Sequence, residues 1–252
     1  MAVKGRTISF QIPSFHKNIS TVQILVFFLI IASFLLGVLV SKVQYLSSNS
    51  PLPTGVAQQA QAPAQPQAPP PGQKQNVDVG HLPPQGNPNA KIKIIEFGDF
   101  RCPFCDRFFK ETLPQLQKDY IDTGKVSFYF RHYQFLGPAS VVAGNAAECA
   151  NEQGKFWDFH NYLYQNQPPE SDTSLYTTDK LSAIAGQLGL NADQFKSCLD
   201  SKKYDKNVSD DLAAGQKAGV NGTPTVFING LPIVGAQPYS AFQTVIDQEL
   251  KK

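Results

Sequence analysis

The chain has 252 residues, 42% hydrophobic and 17% charged, with a formal net charge of +2. So small a charge, with basic residues scattered rather than gathered in a stripe, gives no electrostatic footprint for nucleic acid. Composition makes one globular domain the default, because only the part after about residue 90, roughly 165 residues, has enough apolar content to bury a core.

At the N-terminal end, Lys4, Arg6 and Lys17 occur without an acidic residue, and Val22 to Val40 is apolar except for Gln23 and Ser33. At ~1.5 Å per residue such a run reaches across a hydrocarbon core of ~30 Å, whereas a cleavable signal peptide needs only ~7–15 apolar residues. No small-x-small cleavage site follows Val40. These features predict a transmembrane signal anchor over residues 21–42. By the positive-inside rule, residues 1–20 are then cytoplasmic and everything after Lys42 lies outside. A removed signal peptide is the competing reading. A buried core helix fits less well, since the run is apolar all round.

Residues 43–76 contain SSNSPLPTGVAQQAQAPAQPQAPPPGQKQN, with prolines at 51, 53, 63, 66, 69, 70 and 71 and almost nothing to bury. A disordered linker is expected, biased toward polyproline II and able to reach about 100 Å at ~3.1 Å per residue. A proline-recognition ligand is the alternative reading of this tract.

The globular domain is expected over 77–252. Lys91 to Phe97 reads as a buried strand, and Pro103 to Tyr120 as a helix with Phe108, Leu113, Leu116 and Tyr120 on one face and a kink at Pro114. Val126 to Phe130 reads as a strand and Ala139 to Asn151 as an Ala-rich helix. Lys155 to about Val220 is helical in pattern, with starts near Asn191 and Asp205. Thr225 to Ile228 and Leu231 to Val234 flank Asn229-Gly230, a pair suited to a type I′ hairpin turn. Pro232 lacks an amide donor, which places its strand at a sheet edge. Tyr239 to Leu250 closes the chain as an amphipathic helix. The order describes a split α/β layer with helices inserted at about 137–220.

Of the four cysteines, at 102, 105, 149 and 198, only the first two are close in sequence. Half of a zinc site is one reading of Cys102-Pro103-Phe104-Cys105, but no second Cys pair or spaced His pair supplies the other ligands. A local structural disulfide is another. Redox chemistry has the stronger physical basis. Pro103 suits the first helical position, which leaves Cys102 at the N-terminal cap, where unpaired amides and the helix dipole stabilise a thiolate. Cys105, one turn later, faces inward and is expected to be the buried partner that completes the exchange.

These residues resemble the DsbA-like branch of the thioredoxin superfamily, in its membrane-tethered or secreted bacterial forms. The resemblance covers about residues 76–252. It rests on Gly86-Asn87-Pro88-Asn89-Ala90, Glu96 through Cys105, Ala146 through Ala150 with Gly154-Lys155-Phe156-Trp157, and Gly222-Thr223-Pro224-Thr225. It implies a thioredoxin-like fold with an inserted helical subdomain. The implied activity is thiol-disulfide exchange outside the cytoplasm through Cys102 and Cys105, with no cofactor.

By the same resemblance, Thr223-Pro224 is the cis-proline element against the redox pair, offering backbone groups to a bound polypeptide. Glu96 matches an acidic residue buried beneath the site that takes a proton from Cys105; a carboxylate on the solvent side of the strand is the equal alternative. Asp99 is a weaker candidate for that task, with helix capping as its other reading. Phe104 stands where the best-known oxidants of the family carry histidine, so thiolate stabilisation is expected to rest on the helix terminus alone. That leaves the choice between oxidant and reductant or isomerase open. Cys149 and Cys198 are expected to form a structural bridge, as a similarly placed pair does in related proteins. His132 and His160 are expected to be surface or core residues without redox roles.

The implied substrates are exported polypeptides with cysteines, and the implied recycling partner is a membrane protein of the DsbB or VKOR kind. A tethered module that holds unfolded chains without turnover is the reading from a different class.

Overall fold

The structure, a computed structural model, describes residues 73–252 together with Ile31 and Ser33, both in helical conformation. Apart from those two residues, the expected anchor over 21–42 and most of the linker over 43–76 lie outside the described residues. Among the described residues no helix is long and apolar enough to cross a membrane.

From residue 73 onward the elements follow the expected order. Strand β1 (Gln85–Gly86) precedes β2 (Ile92–Gly98), and a helical stretch then begins with α1 (Pro103–Arg107). It continues through a π turn (Phe108–Thr112), α2 (Leu113–Leu116) and a second π turn (Gln117–Ile121) before β3 (Val126–His132). Pro114 falls in the first turn of α2, directly after the first π turn. The wider turn leaves the amide that proline lacks unneeded, so the helical run is carried past it. The inserted block comprises α3 (Pro138–Glu152), α4 (Phe156–Gln165), α5 (Thr178–Gln187), α6 (Ala192–Asp200) and α7 (Asp205–Lys217). The chain returns to the sheet with β4 (Thr225–Ile228) and β5 (Leu231–Val234), and ends on α8 (Tyr239–Leu250).

The described strands form one sheet in the order β1-β3-β2-β4-β5. β2 and β3 are parallel, with Glu96 opposite Phe130 and Gly98 opposite His132. β4 runs antiparallel to β2, and β5 antiparallel to β4 at the sheet edge, where Pro232 was expected. Asn229 and Gly230 take φ values of 45° and 86°, the left-handed conformations a type I′ turn requires. Asn191 caps α6, its side chain accepting from the Gln194 amide at 3.0 Å.

Strand periodicity divides the core. Ile95, Phe97, Tyr129 and Phe227 face one side, packed with Val220. Ile92, Ile94, Phe128 and Val226 face the other, against Phe108, Leu116, Phe242 and Ile246. Each of these side chains contributes roughly 1.5–3 kcal/mol on burial. Beyond Phe128 on that second face, Phe130 enters the cluster formed with the inserted helices, which also holds Cys102 and Cys105. Cys149 of α3 and Cys198 of α6 are joined by a disulfide across a separation of 49 residues.

The segment before β1 is tied to the domain along its length. Lys74 pairs with Glu249 at 2.7 Å, the Gln75 amide donates to Gly230 O at 2.8 Å, and Leu82 is buried. His81 Nε2 lies 2.6 Å from Glu148 Oε1, and buried His132 approaches the same oxygen at 3.2 Å. Burial opposes ionisation of Glu148, but His132 and His81 outweigh it and hold the carboxyl down at about 2.

Candidate active site

β2 delivers the chain to the site, and the turn after it is fixed by Asp99. Its buried carboxylate accepts from the amides of Arg101, Phe135 and Leu136 at 2.9, 3.1 and 3.2 Å, and from Ser140 Oγ at 2.8 Å. The Asp99 carbonyl accepts from the Cys102 amide at 3.0 Å. Four donors on one carboxylate mark a loop-holding residue. It sits just before the helix rather than on its cap, which is Cys102 itself, with φ −76° and ψ 120° and Pro103 in the first turn. The Cys102 carbonyl accepts the Asp106 amide at 3.1 Å, so the helix starts at the nucleophile candidate.

The two sulfurs occupy unlike environments. Cys102 is 4% exposed and Cys105 is fully buried. The Cys105 thiol donating to Cys102 lowers the Cys102 pKa most; burial opposes it, and the Thr223 side chain and the Cys105 and Phe104 amides add to the lowering, which reaches about 6. Stabilisation of this thiolate therefore extends beyond the helix terminus, contrary to the expectation drawn from Phe104. Cys105 is pushed well above the usual thiol range by burial, by the hydrogen bond its thiol donates to Cys102 and by the charge of Glu96. The two sulfurs are thus unlike, one favouring the thiolate and the other the protonated thiol.

Glu96 is 1% exposed, on the face of Ile92 and Ile94 and opposite that of Lys91 and Lys93. Burial, with a further contribution from the charge of Cys102, pushes its carboxyl up to about 8, and Oε1 has no hydrogen-bond partner. Gly98 makes the room: a Cβ there would stand 2.6 Å from the Phe130 ring and 3.1 Å from Glu96 Oε1.

The Thr223-Pro224 peptide is cis. Cys102 Sγ donates to Thr223 O at 3.4 Å. Pro224 O accepts from the Gly235 amide at 2.8 Å, which ties the loop to the end of β5. Phe104 is 53% exposed, with the Arg107 guanidinium carbon 5.2 Å from its ring centroid. Exposed Phe135, held by Asp99 through its amide, and exposed Val234, beside Gly235, add apolar surface next to these loops.

Several residues of the site were not singled out from sequence. Arg101 donates to Leu136 O and Glu170 O, Tyr176 OH donates to Phe100 O at 3.1 Å, and Gln167 reaches the turn from beyond α4. Tyr164 is fully buried in the cluster that holds both cysteines, and its hydroxyl lacks a partner. No local pattern marks Arg101, Tyr176 or Gln167, because their partners lie 35 to 76 residues away along the chain. His132 and His160 are both buried, and burial pushes His160 down to about 3. Among the described residues no group of three or more His, Cys, Asp or Glu side chains is placed to hold a metal ion.

The family model described as Thioredoxin matches residues 79–248. The chain is 36% identical over 170 residues to the probable disulfide bond formation protein D of Bacillus cereus, covering 66% of this chain and 78% of that protein. To the disulfide bond formation protein D of Bacillus subtilis it is 32% identical over 169 residues, covering 66% and 76%. Oxidised BdbD of Bacillus subtilis superposes with a TM-score of 0.64 at 32% identity, covering 68% of this chain and 94% of that one. For alpha-DsbA1 of Wolbachia pipientis the values are 0.62 and 25%, covering 70% and 94%. A thioredoxin-like sheet with helices inserted between β3 and β4, an unlike pair of sulfurs at a helix start, and these likenesses agree: the chain belongs to the DsbA-like thiol-disulfide oxidoreductases of the thioredoxin family.

Proposed function

We propose that the protein introduces disulfides into exported polypeptides through a Cys102–Cys105 disulfide. The observation that carries this reading is the asymmetry of the pair, with Cys102 held at about 6 and Cys105 pushed well above the thiol range. A substrate thiolate attacks Cys102 Sγ, forms a mixed disulfide and displaces Cys105 as a thiolate. That thiolate is buried, and Glu96, protonated at neutral pH, supplies its proton. A second substrate thiolate then attacks the substrate sulfur, releasing Cys102 as a thiolate and leaving a substrate disulfide and an enzyme dithiol. A thiolate stabilised in the reduced enzyme favours that product, which makes the disulfide form an oxidant.

Thr223 and Pro224 are assigned to substrate binding, supported by the Cys102 contact and by the apolar surface of Phe104, Phe135 and Val234. The apolar run at 22–40 and its basic flank support single-pass anchoring with the domain outside the cytoplasm, and the Pro-rich tract supports a spacer role. Regenerating the disulfide requires an electron acceptor, and a membrane partner of the DsbB or VKOR kind fits this topology.

Reoxidation of reduced ribonuclease tests the reading. Cys102→Ser is expected to abolish turnover, and Cys105→Ala to accumulate mixed disulfides whose partners identify substrates and recycling enzyme. Unchanged activity in Cys102→Ser would instead favour a holding module that needs no sulfur chemistry.

A further inference from the structure

We propose that Gln167 is a positioning residue for the reactive thiolate, acting from the helical insertion on the backbone of the catalytic turn. Its Nε2 donates to Phe100 O at 2.9 Å and to Cys102 O at 3.2 Å. Both acceptors flank Arg101, and a half-buried amide facing two carbonyls has its nitrogen end fixed by them.

The Cys102 carbonyl has two lone pairs. One receives the Asp106 amide at 3.1 Å, and Gln167 fills the other. Two consequences follow from this geometry. The cap conformation of Cys102 is held on both sides of the residue, and that conformation keeps the Phe104 and Cys105 amides directed at Sγ. The donor end of the Gln167 dipole also lies against the residue that carries the negative charge, and so favours the thiolate. Tyr176 shares the Phe100 carbonyl at 3.1 Å, so the segment between α4 and α5 clasps the turn at adjacent points. By this route the insertion sets the reactivity of a sulfur carried by the thioredoxin-like layer. The inference rests on Cys102 being the nucleophile.

Three variants of the full-length protein test it: Gln167→Met, which keeps the length and loses the donor; Gln167→Glu, which places an anion there; and Gln167→Lys, which keeps a donor and adds positive charge. The readouts are the pH dependence of Cys102 alkylation by iodoacetamide and the equilibrium potential against glutathione. Gln167→Met is expected to reduce the thiolate fraction at pH 6 about threefold or more. Gln167→Glu is expected to reduce it further, and Gln167→Lys to leave it equal or higher, with the potentials following in the same order. General damage to the fold would move all three variants one way, so the ordering by charge separates positioning from structural support. Coincidence of all three with the wild type, or a common shift in one direction, would overturn the role of Gln167. Failure of wild-type Cys102 to titrate near pH 6 would instead overturn its assignment as nucleophile.

Discussion

Glu96 Oε1 occupies the space above Gly98, 3.1 Å from where a Cβ at that position would stand. The strand therefore carries a gap in its side-chain pattern beneath the cysteines and fills it with a carboxyl group. Because burial pushes that carboxyl up to about 8 from an unfolded value of 4.5, folding takes up a proton between those pH values. The cost to stability is absent below pH 4.5, grows as pH rises toward 8 and is constant above it. Glu96→Gln is expected to stabilise the reduced protein on the order of 2–3 kcal/mol at pH 7 and not at pH 4. It is also expected to slow turnover about 100-fold by removing the proton donor to Cys105. Urea unfolding at both pH values and ribonuclease reoxidation check the two effects; unchanged turnover would leave Glu96 a structural residue.

Cys149 and Cys198 bridge α3 and α6 at a sequence separation of 49 residues. Replacing both by alanine is expected to lower stability by about 4 kcal/mol in the chain-entropy model. Activity at low temperature should remain, since the two sulfurs are bonded to each other rather than to the catalytic turn. Denaturant unfolding and reoxidation assays of the double variant measure both quantities.

The outline of the domain was legible where local chemistry settles it. Asn229-Gly230 can carry two positive φ angles, and the paired strands on either side of it were readable to the residue. Cys102 as the cap before Pro103 was equally local. The sequence leaves the place of Glu96 open between the buried and the solvent side of its strand; the structure puts it on the face of Ile94 and Ile92, two and four positions back, rather than with Lys91 and Lys93. Gln167, Tyr176 and Arg101 were not legible, because they meet the turn or its surroundings across 35 to 76 residues of chain. The same holds for Glu148, whose His81 and His132 partners come from different segments.

The His81–Glu148 pair carries its own pH signature. The hydrogen bond that His81 donates to Glu148 raises the His81 pKa above 6.5, against burial, while Glu148 is held at about 2. The histidine contribution is complete below pH 6.5 and is lost as pH rises through the raised folded value; the carboxylate contribution is complete above pH 4.5 and is lost as pH falls toward 2. The stability difference between wild type and His81→Ala is therefore expected to peak between pH 4.5 and 6.5. Melting curves from pH 3 to 9 check this, with a pH-independent difference as the contrary result.

Whether this pair of unlike sulfurs acts as an oxidant is read from the equilibrium reduction potential of Cys102–Cys105 against glutathione. A thiolate held at about 6 in the reduced form, about one unit below thioredoxin's value of about 7, predicts a potential about 30 mV or more above thioredoxin's value of about −270 mV. A value at or below about −270 mV would rule out an oxidant and assign the same two sulfurs to reduction.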